Sequence, residues 1–217
     1  MVERGFFIRE GLTTQVDTTV GSFLPLTIAL KEDSASTPLR LCYNASYKGR
    51  EGISLNDSLL TGSSHNLPIT QLLVHLRLAP VLHIADVSKA YCAVHVTEDH
   101  QKFLRILFRD GGLGSSGPLV VLRSTRLLFG LRPAQTIFSL ARNIAFQSTL
   151  SPELTEQVSQ ASCTDNIHLV SHSVSEGAEK AEQVSGALKR MGIHLKTGWS
   201  VSGLPAENPE TSLLGLK

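Results

Sequence analysis

The chain has 217 residues, 41% of them hydrophobic and 18% charged, a balance that excludes a disordered polymer and suits one ordinary domain or two very small ones. Lysine plus arginine is 20 and aspartate plus glutamate 19, leaving a net charge of +1. That excludes a strongly basic nucleic-acid coat, so any contact with nucleic acid has to come from a local patch.

Strand and helix signals alternate along the chain, which argues for a mixed α and β domain. Residues 39–43 form a short apolar run suited to a strand. Ile69, Leu72, Leu73, Leu76 and Ala79 repeat at helical spacing, and Pro80 ends that helix. Residues 81–87 predict a strand with Asp86 near its C-terminal end. Runs at 103–108 and 119–122 predict two strands joined by the glycine-rich loop 111–117, and a helix is expected over 133–147. Residues 166–170 read as half of a hairpin with Asp165 at its turn. The clearest helix spans 175–191, with a stripe at Ala178, Ala181, Val184, Leu188 and Met191, capping-box spacing at Ser173 and Glu176, and Gly192 as its left-handed stop. The tail beyond Gly203 reads as flexible.

The run 23–30 is broken by Pro25 and Thr27 and is too short to cross a bilayer, and residues 1–10 hold no signal-peptide core. Cys42, Cys92 and Cys163 are odd in number, scattered and outside any CxxC, so neither a disulfide framework nor structural zinc is expected. The sequons at Asn44 and Asn56 are read as chance, and the expected setting is intracellular, cytoplasmic or nuclear, without membrane contact. Loop 111–117 lacks a Gly-Lys-Ser/Thr ending, so it is no phosphate-binding P-loop. His168 and His172 sit on one predicted strand about 13 Å apart, too far to share a zinc ion.

Asp86, closing a hydrophobic strand, and Asp165, in an Asp-Asn turn, are the candidate carboxylates. Such oxygens suit a hard cation such as Mg²⁺. In isolation Asp86 reads first as a strand-end residue that caps the following turn, and Asp165 as a good hairpin-turn residue.

Read as a whole, residues 23–202 resemble the fingers and palm of a retroelement reverse transcriptase, closest to the BEL/Pao group of retrotransposons. The phrases that carry the resemblance are Pro38-Leu39-Arg40-Leu41-Cys42-Tyr43-Asn44-Ala45-Ser46, Gly52-Ile53-Ser54-Leu55-Asn56-Asp57-Ser58-Leu59-Leu60-Thr61-Gly62, Ala85-Asp86-Val87-Ser88-Lys89-Ala90-Tyr91, Leu128-Phe129-Gly130-Leu131, Cys163-Thr164-Asp165-Asn166 and Gly192-Ile193-His194-Leu195-Lys196-Thr197-Gly198-Trp199. The fold implied is α+β, with an antiparallel palm sheet and helices packed on one face. Residues 1–22 would be a lead-in, 203–217 a tail, and the thumb would be absent. The implied chemistry is RNA-directed DNA synthesis with two Mg²⁺ (or Mn²⁺) ions, on an RNA or DNA template-primer and a dNTP. Asp86 and Asp165 would be catalytic metal ligands. Tyr91 would be the gate against a ribose 2′-hydroxyl, Arg40 and Lys31 the triphosphate contacts, and Phe129 and Gly130 the pocket lining. Lys48, Arg50, Arg105, Arg109, Arg123 and Arg126, with Arg40, would make a basic groove.

The sequence departs from the family at its hairpin, which should read Tyr-Val-Asp-Asp. Here Asn166, a third position in the metal set, offers a neutral amide oxygen in place of a carboxylate. Gln135 stands where the pocket motif usually has proline, and Pro133 comes earlier. The reading is therefore a truncated, partly degenerate polymerase with impaired catalysis. The alternatives are an inactive nucleic-acid-binding module, whose affinity would fall steeply with salt, and a protein-interaction scaffold with no such binding.

Overall fold

The computed structural model describes residues 2–30, 39–64, 66–112 and 114–202. In chain order its elements begin with β1 (Phe7–Leu12), β2 (Leu26–Leu30), β3 (Leu39–Tyr43), α1 (Ile69–Arg77), β4 (Val81–Asp86) and α2 (Glu98–Gln101). They continue with β5 (Arg105–Arg109), β6 (Leu119–Ser124), α3 (Ala134–Gln147), α4 (Pro152–Ala161), β7 (Asn166–Ser171), α5 (Val174–Arg190) and β8 (Ser200–Ser202). Two compact units result: Met1–Gly62 with Val94–Ala134, and Ser63–Ala93 with Gln135–Lys217.

The first unit holds the sheet β1-β6-β5 and the two-stranded β2-β3, all antiparallel. The β5–β6 hairpin forms as the sequence pattern predicts, from Arg105 opposite Arg123 to Arg109 opposite Leu119. Gly111, Gly112 and Gly114 turn its loop at positive φ, which glycine adopts without a Cβ clash. β1 lies within the stretch read as a lead-in and adds to the other edge of β6, with a register shift between Arg9 and Gly11. Across this sheet Glu10 meets Arg105 at 3.0 Å and Arg123 at 2.8 Å, so two guanidiniums share one carboxylate.

The second unit is built on the antiparallel sheet β7-β4-β8. Side chains alternate between its faces. α5 packs against the face carrying His83 and Ser171, while α1 and α4 meet the other face, where Leu72, Leu76, Leu82 and Ala161 form a cluster joined by Ile84 and Val170. Helices thus cover both faces of the sheet rather than the one expected, because β4 and β7 alternate apolar side chains to both sides. α5 starts as foreseen, with the Ser173 hydroxyl accepting the Glu176 N–H at 3.2 Å. The Glu176 carboxylate, however, takes the N–H of His172 rather than that of the cap.

The buried stripe of α5 departs from its sequence pattern. Gly177, Ala181, Val184 and Leu188 face inward, while Ala178 is exposed and Met191 is 48% exposed. The reason lies across the interface: the His83 ring fills the space beside Gly177, and a Cβ there would collide with it. α1 is similar, because Leu72 and Leu76 are buried while Ile69, counted in its stripe, is half exposed. The helix α4 and strands β1 and β2 are absent from the sequence expectations. The apolar residues of α4 (Leu154, Val158 and Ala161) are few and become buried only through partners distant in the chain, β1 buries only Phe7, and β2, though apolar in sequence, stays largely exposed. The tail beyond Gly203 and Lys31 lie outside the described residues.

Candidate functional site

In the second unit the end of β4 and the hairpin before β7 come together. Asp86 is the register partner of Asn166, and the Val87 N–H donates to the Asp165 carbonyl at 2.8 Å. Asp165 is exposed and Asp86 half-buried. Cys163 and Asn166 exchange both backbone hydrogen bonds at 2.9 Å, closing a two-residue turn over Thr164 and Asp165. Thr164 takes φ +51°, a left-handed conformation that a β-branched residue reaches only under strain. Lys89, three residues past Asp86, has φ +49°. These are the two non-glycine residues at positive φ among those described, and both flank a candidate carboxylate.

Tyr91 follows in a 3-10 turn, Ala90–Ala93. Its ring meets Phe138 of α3 edge to face, with centroids 5.9 Å apart. Burial, and then the negative charge of Asp165, push its phenol pKa up. Asp165 lies in the turn just before Asn166, the register partner of Asp86, with its carbonyl bonded to Val87.

Two residues enter this site that sequence reasoning missed. Arg142 is fully buried in α3 and donates to the Thr164 carbonyl at 3.0 Å, beneath the hairpin. Desolvation lowers its pKa to about 10, partly offset by Cys163. The signal was present: Arg142 lies four residues after Phe138 and four before Phe146, on one helical face with two buried aromatics. Lys196 is the second. Its backbone N–H donates to the Asp86 carbonyl at 2.8 Å, and its ammonium lies 3.3 Å from Asp86 Oδ2.

The donors here are two carboxylates and the Asn166 amide, all hard oxygens suited to Mg²⁺ or Mn²⁺. An ammonium already stands at one of them, in the manner of a stand-in cation. Among the described residues no group of three or more His, Cys, Asp or Glu side chains is placed to hold a metal ion. By the chemistry of its oxygens the set would hold one divalent cation; it is one carboxylate short of what the resemblance implies for two.

The other candidates belong to the first unit. Gly130 has φ +94°, and a Cβ on it would lie 2.5 Å from the Tyr43 carbonyl, so glycine is needed there. Phe129 is exposed and packs edge to face on Tyr43 at 5.4 Å. Asn56, from the second fingers phrase, holds this turn: its Nδ2 donates to the Gly130 carbonyl at 2.9 Å and to Ser46 Oγ at 2.8 Å, and its Oδ1 accepts the Arg132 N–H at 2.8 Å. α3 opens immediately after Pro133, with Gln135 inside its first turn.

The basic residues scatter. Arg123 is held by Glu10 and by Gln101 Oε1 at 2.7 Å, Arg105 by Glu10 and the carbonyls of Asp17 and Val20, and Arg109 by the Gly117 carbonyl. Arg123 and Arg105 thus serve inside the sheet and do not line an open groove. Arg126 lies over the Phe6 ring at 5.6 Å. Lys48 is exposed, 3.9 Å from Asp57, and Arg50 is exposed. Arg40 sits opposite Ala29 in the β2–β3 pair; its side chain lies outside what is described.

No protein-family model matches the chain, and no curated protein matches it. Solved structures do. A foamy viral protease-reverse transcriptase in complex with double-stranded DNA superposes with a TM-score of 0.65 at 16% identity, over 89% of this chain and 28% of that one. The foamy viral protease-reverse transcriptase with an RNA/DNA hybrid gives 0.64 at 16% identity, over 89% and 21%. The chain thus has a reverse-transcriptase-like α+β fold and spans under a third of those proteins' length.

Proposed function

We propose that the chain is a reverse-transcriptase-like fingers and palm unit, related to the BEL/Pao group by its sequence phrases, that performs RNA-directed nucleotidyl transfer with reduced efficiency. The observation that supports this most is the junction of β4 with the hairpin, where Asp86 pairs with Asn166 and Val87 with Asp165 on a reverse-transcriptase-like fold. Asp86 and Asp165 would hold one Mg²⁺ or Mn²⁺, which when bound makes a primer 3′-hydroxyl more acidic and offsets triphosphate charge. Tyr91, braced by Phe138, presents a ring that excludes a 2′-hydroxyl by shape. Arg40 and Lys31 would bind the triphosphate, as a planar guanidinium and a point charge respectively. Phe129 and Gly130 would face the nucleotide, and Lys48, Arg50 and Arg126 the template-primer.

A second reading is favoured by Asn166 and Lys196, which together leave the acid pair poor in negative charge: a nucleic-acid-binding module that no longer transfers nucleotides. Primer extension on an RNA template, with Mg²⁺ and then Mn²⁺, separates the two. Extension by the native chain that is lost in Asp86→Ala supports the polymerase. Extension that appears only with Asn166→Asp locates the impairment at that ligand. No extension by the native chain or Asn166→Asp, in folded protein that still binds template-primer, establishes the binding module.

A further inference from the structure

Lys196 is gripped twice by the strand that carries Asp86. The Ser88 N–H donates to the His194 carbonyl at 2.8 Å, Val87 bridges to Leu195, and the Lys196 N–H donates to the Asp86 carbonyl at 2.8 Å. This short ladder fixes the Lys196 backbone alongside Asp86, so its ammonium reaches Oδ2 at 3.3 Å with little further loss of entropy. On the other side of Asp86 stands Asn166, which is neutral. Against Asp86 and Asp165 stand the Lys196 ammonium at 3.3 Å and the buried Arg142 beneath the hairpin, so the carboxylates face nearby positive charge that a divalent cation must overcome. Both members of the pair keep solvent contact, at 38% and 51% side-chain exposure, so a dissolved cation can reach the carboxylate and the flexible lysine can leave it.

We propose that Lys196 is the resident counter-cation of Asp86, which a divalent ion must displace to bind, so that this lysine sets the metal affinity of the acid pair. The inference rests on the reading of Asp86 and Asp165 as the cation site. An exposed ion pair is weak, and the ammonium would also repel a divalent ion nearby. Removing it is expected to tighten binding by about 3- to 10-fold, an effect that fades as monovalent salt rises.

The test is Mn²⁺ binding followed by electron paramagnetic resonance of the free ion, without nucleotide or primer, on the native chain, Lys196→Gln, Lys196→Arg, Asp86→Asn and Asp165→Asn. The expected result is tighter binding by Lys196→Gln, near-native binding by Lys196→Arg, and weakened binding by both aspartate variants, with circular dichroism confirming that each is folded. Equal binding by the native chain and Lys196→Gln, with loss in Asp86→Asn, overturns the role of Lys196 and leaves the acid pair standing. Undiminished binding in both aspartate variants, or no saturable binding by any chain in the millimolar range, overturns the acid pair as a cation site and the inference with it.

Discussion

Two imidazoles lie buried in the palm-like sheet, one on each face. His83 is 1% exposed against Gly177, and His168 is fully buried with its Nδ1 2.6 Å from the Ala161 carbonyl. Burial lowers both pKa values from 6.5; a backbone contact opposes the shift in each, and Arg142 adds to it at His168. Each folded pKa is therefore below its unfolded value, and the unfolded chain binds protons first as pH falls. The neutral rings contribute fully above about pH 6.5, and that stability is lost progressively below it. Denaturant midpoints measured from pH 7.5 to 5 should fall with acid, and His168→Gln should flatten the slope; a flat native profile would remove the argument. Arg142 makes the same point by a different route. A buried guanidinium with carbonyl partners is costly, and its gain is a fixed Thr164 carbonyl under the strained turn that presents Asp165.

Short pieces of backbone carry the organisation of the first unit. The 3-10 turn Leu55–Ser58 is closed by a capping box, in which Ser54 and Asp57 exchange hydrogen bonds. Those bonds pull the Asp57 pKa down, with Lys48 and Arg132 assisting. That turn delivers Asn56, 8% exposed, to the Gly130 carbonyl and the Arg132 N–H. Asn56→Ala should cost about 2–3 kcal/mol, because it strips three hydrogen bonds and leaves buried groups unpaired. Chemical denaturation measures this, and a loss under half a kcal/mol (roughly the effect of a surface change) would show that the Phe129–Arg132 turn stands by itself. Elements of this kind were legible in the sequence only as phrases. The asparagine was visible in its motif, but its partner 74 residues away was not.

At the scale of the whole molecule, part of the charge is spent internally. Arg9 pairs with Asp110 at 2.9 Å, Arg105 and Arg123 with Glu10, and Arg132 lies 3.9 Å from Asp57. Of the candidate groove, Arg105 and Arg123 are thereby taken up inside the sheet, so nucleic-acid affinity should fall only gently with salt, with a log–log slope no steeper than about −3. Filter binding across a salt series checks this, and a slope near −6 would mean that a broad basic groove exists after all. The chain by itself determined the strands expected at residues 81–87 and 166–170 and the helices expected at 133–147 and 175–191, each to within one residue at either end, and the positions of Asp86 and Asp165, because these depend on local periodicity, turn chemistry and phrases of contiguous residues. Tertiary structure alone decided that Lys196 sits on Asp86, that Arg142 lies under the hairpin, that Gly177 rather than Ala178 faces inward, and that Arg105 and Arg123 are used up by Glu10. Each of these is a contact between residues far apart in the chain, set by strand register and by which face of a helix meets the sheet, and local spacing carries no record of either.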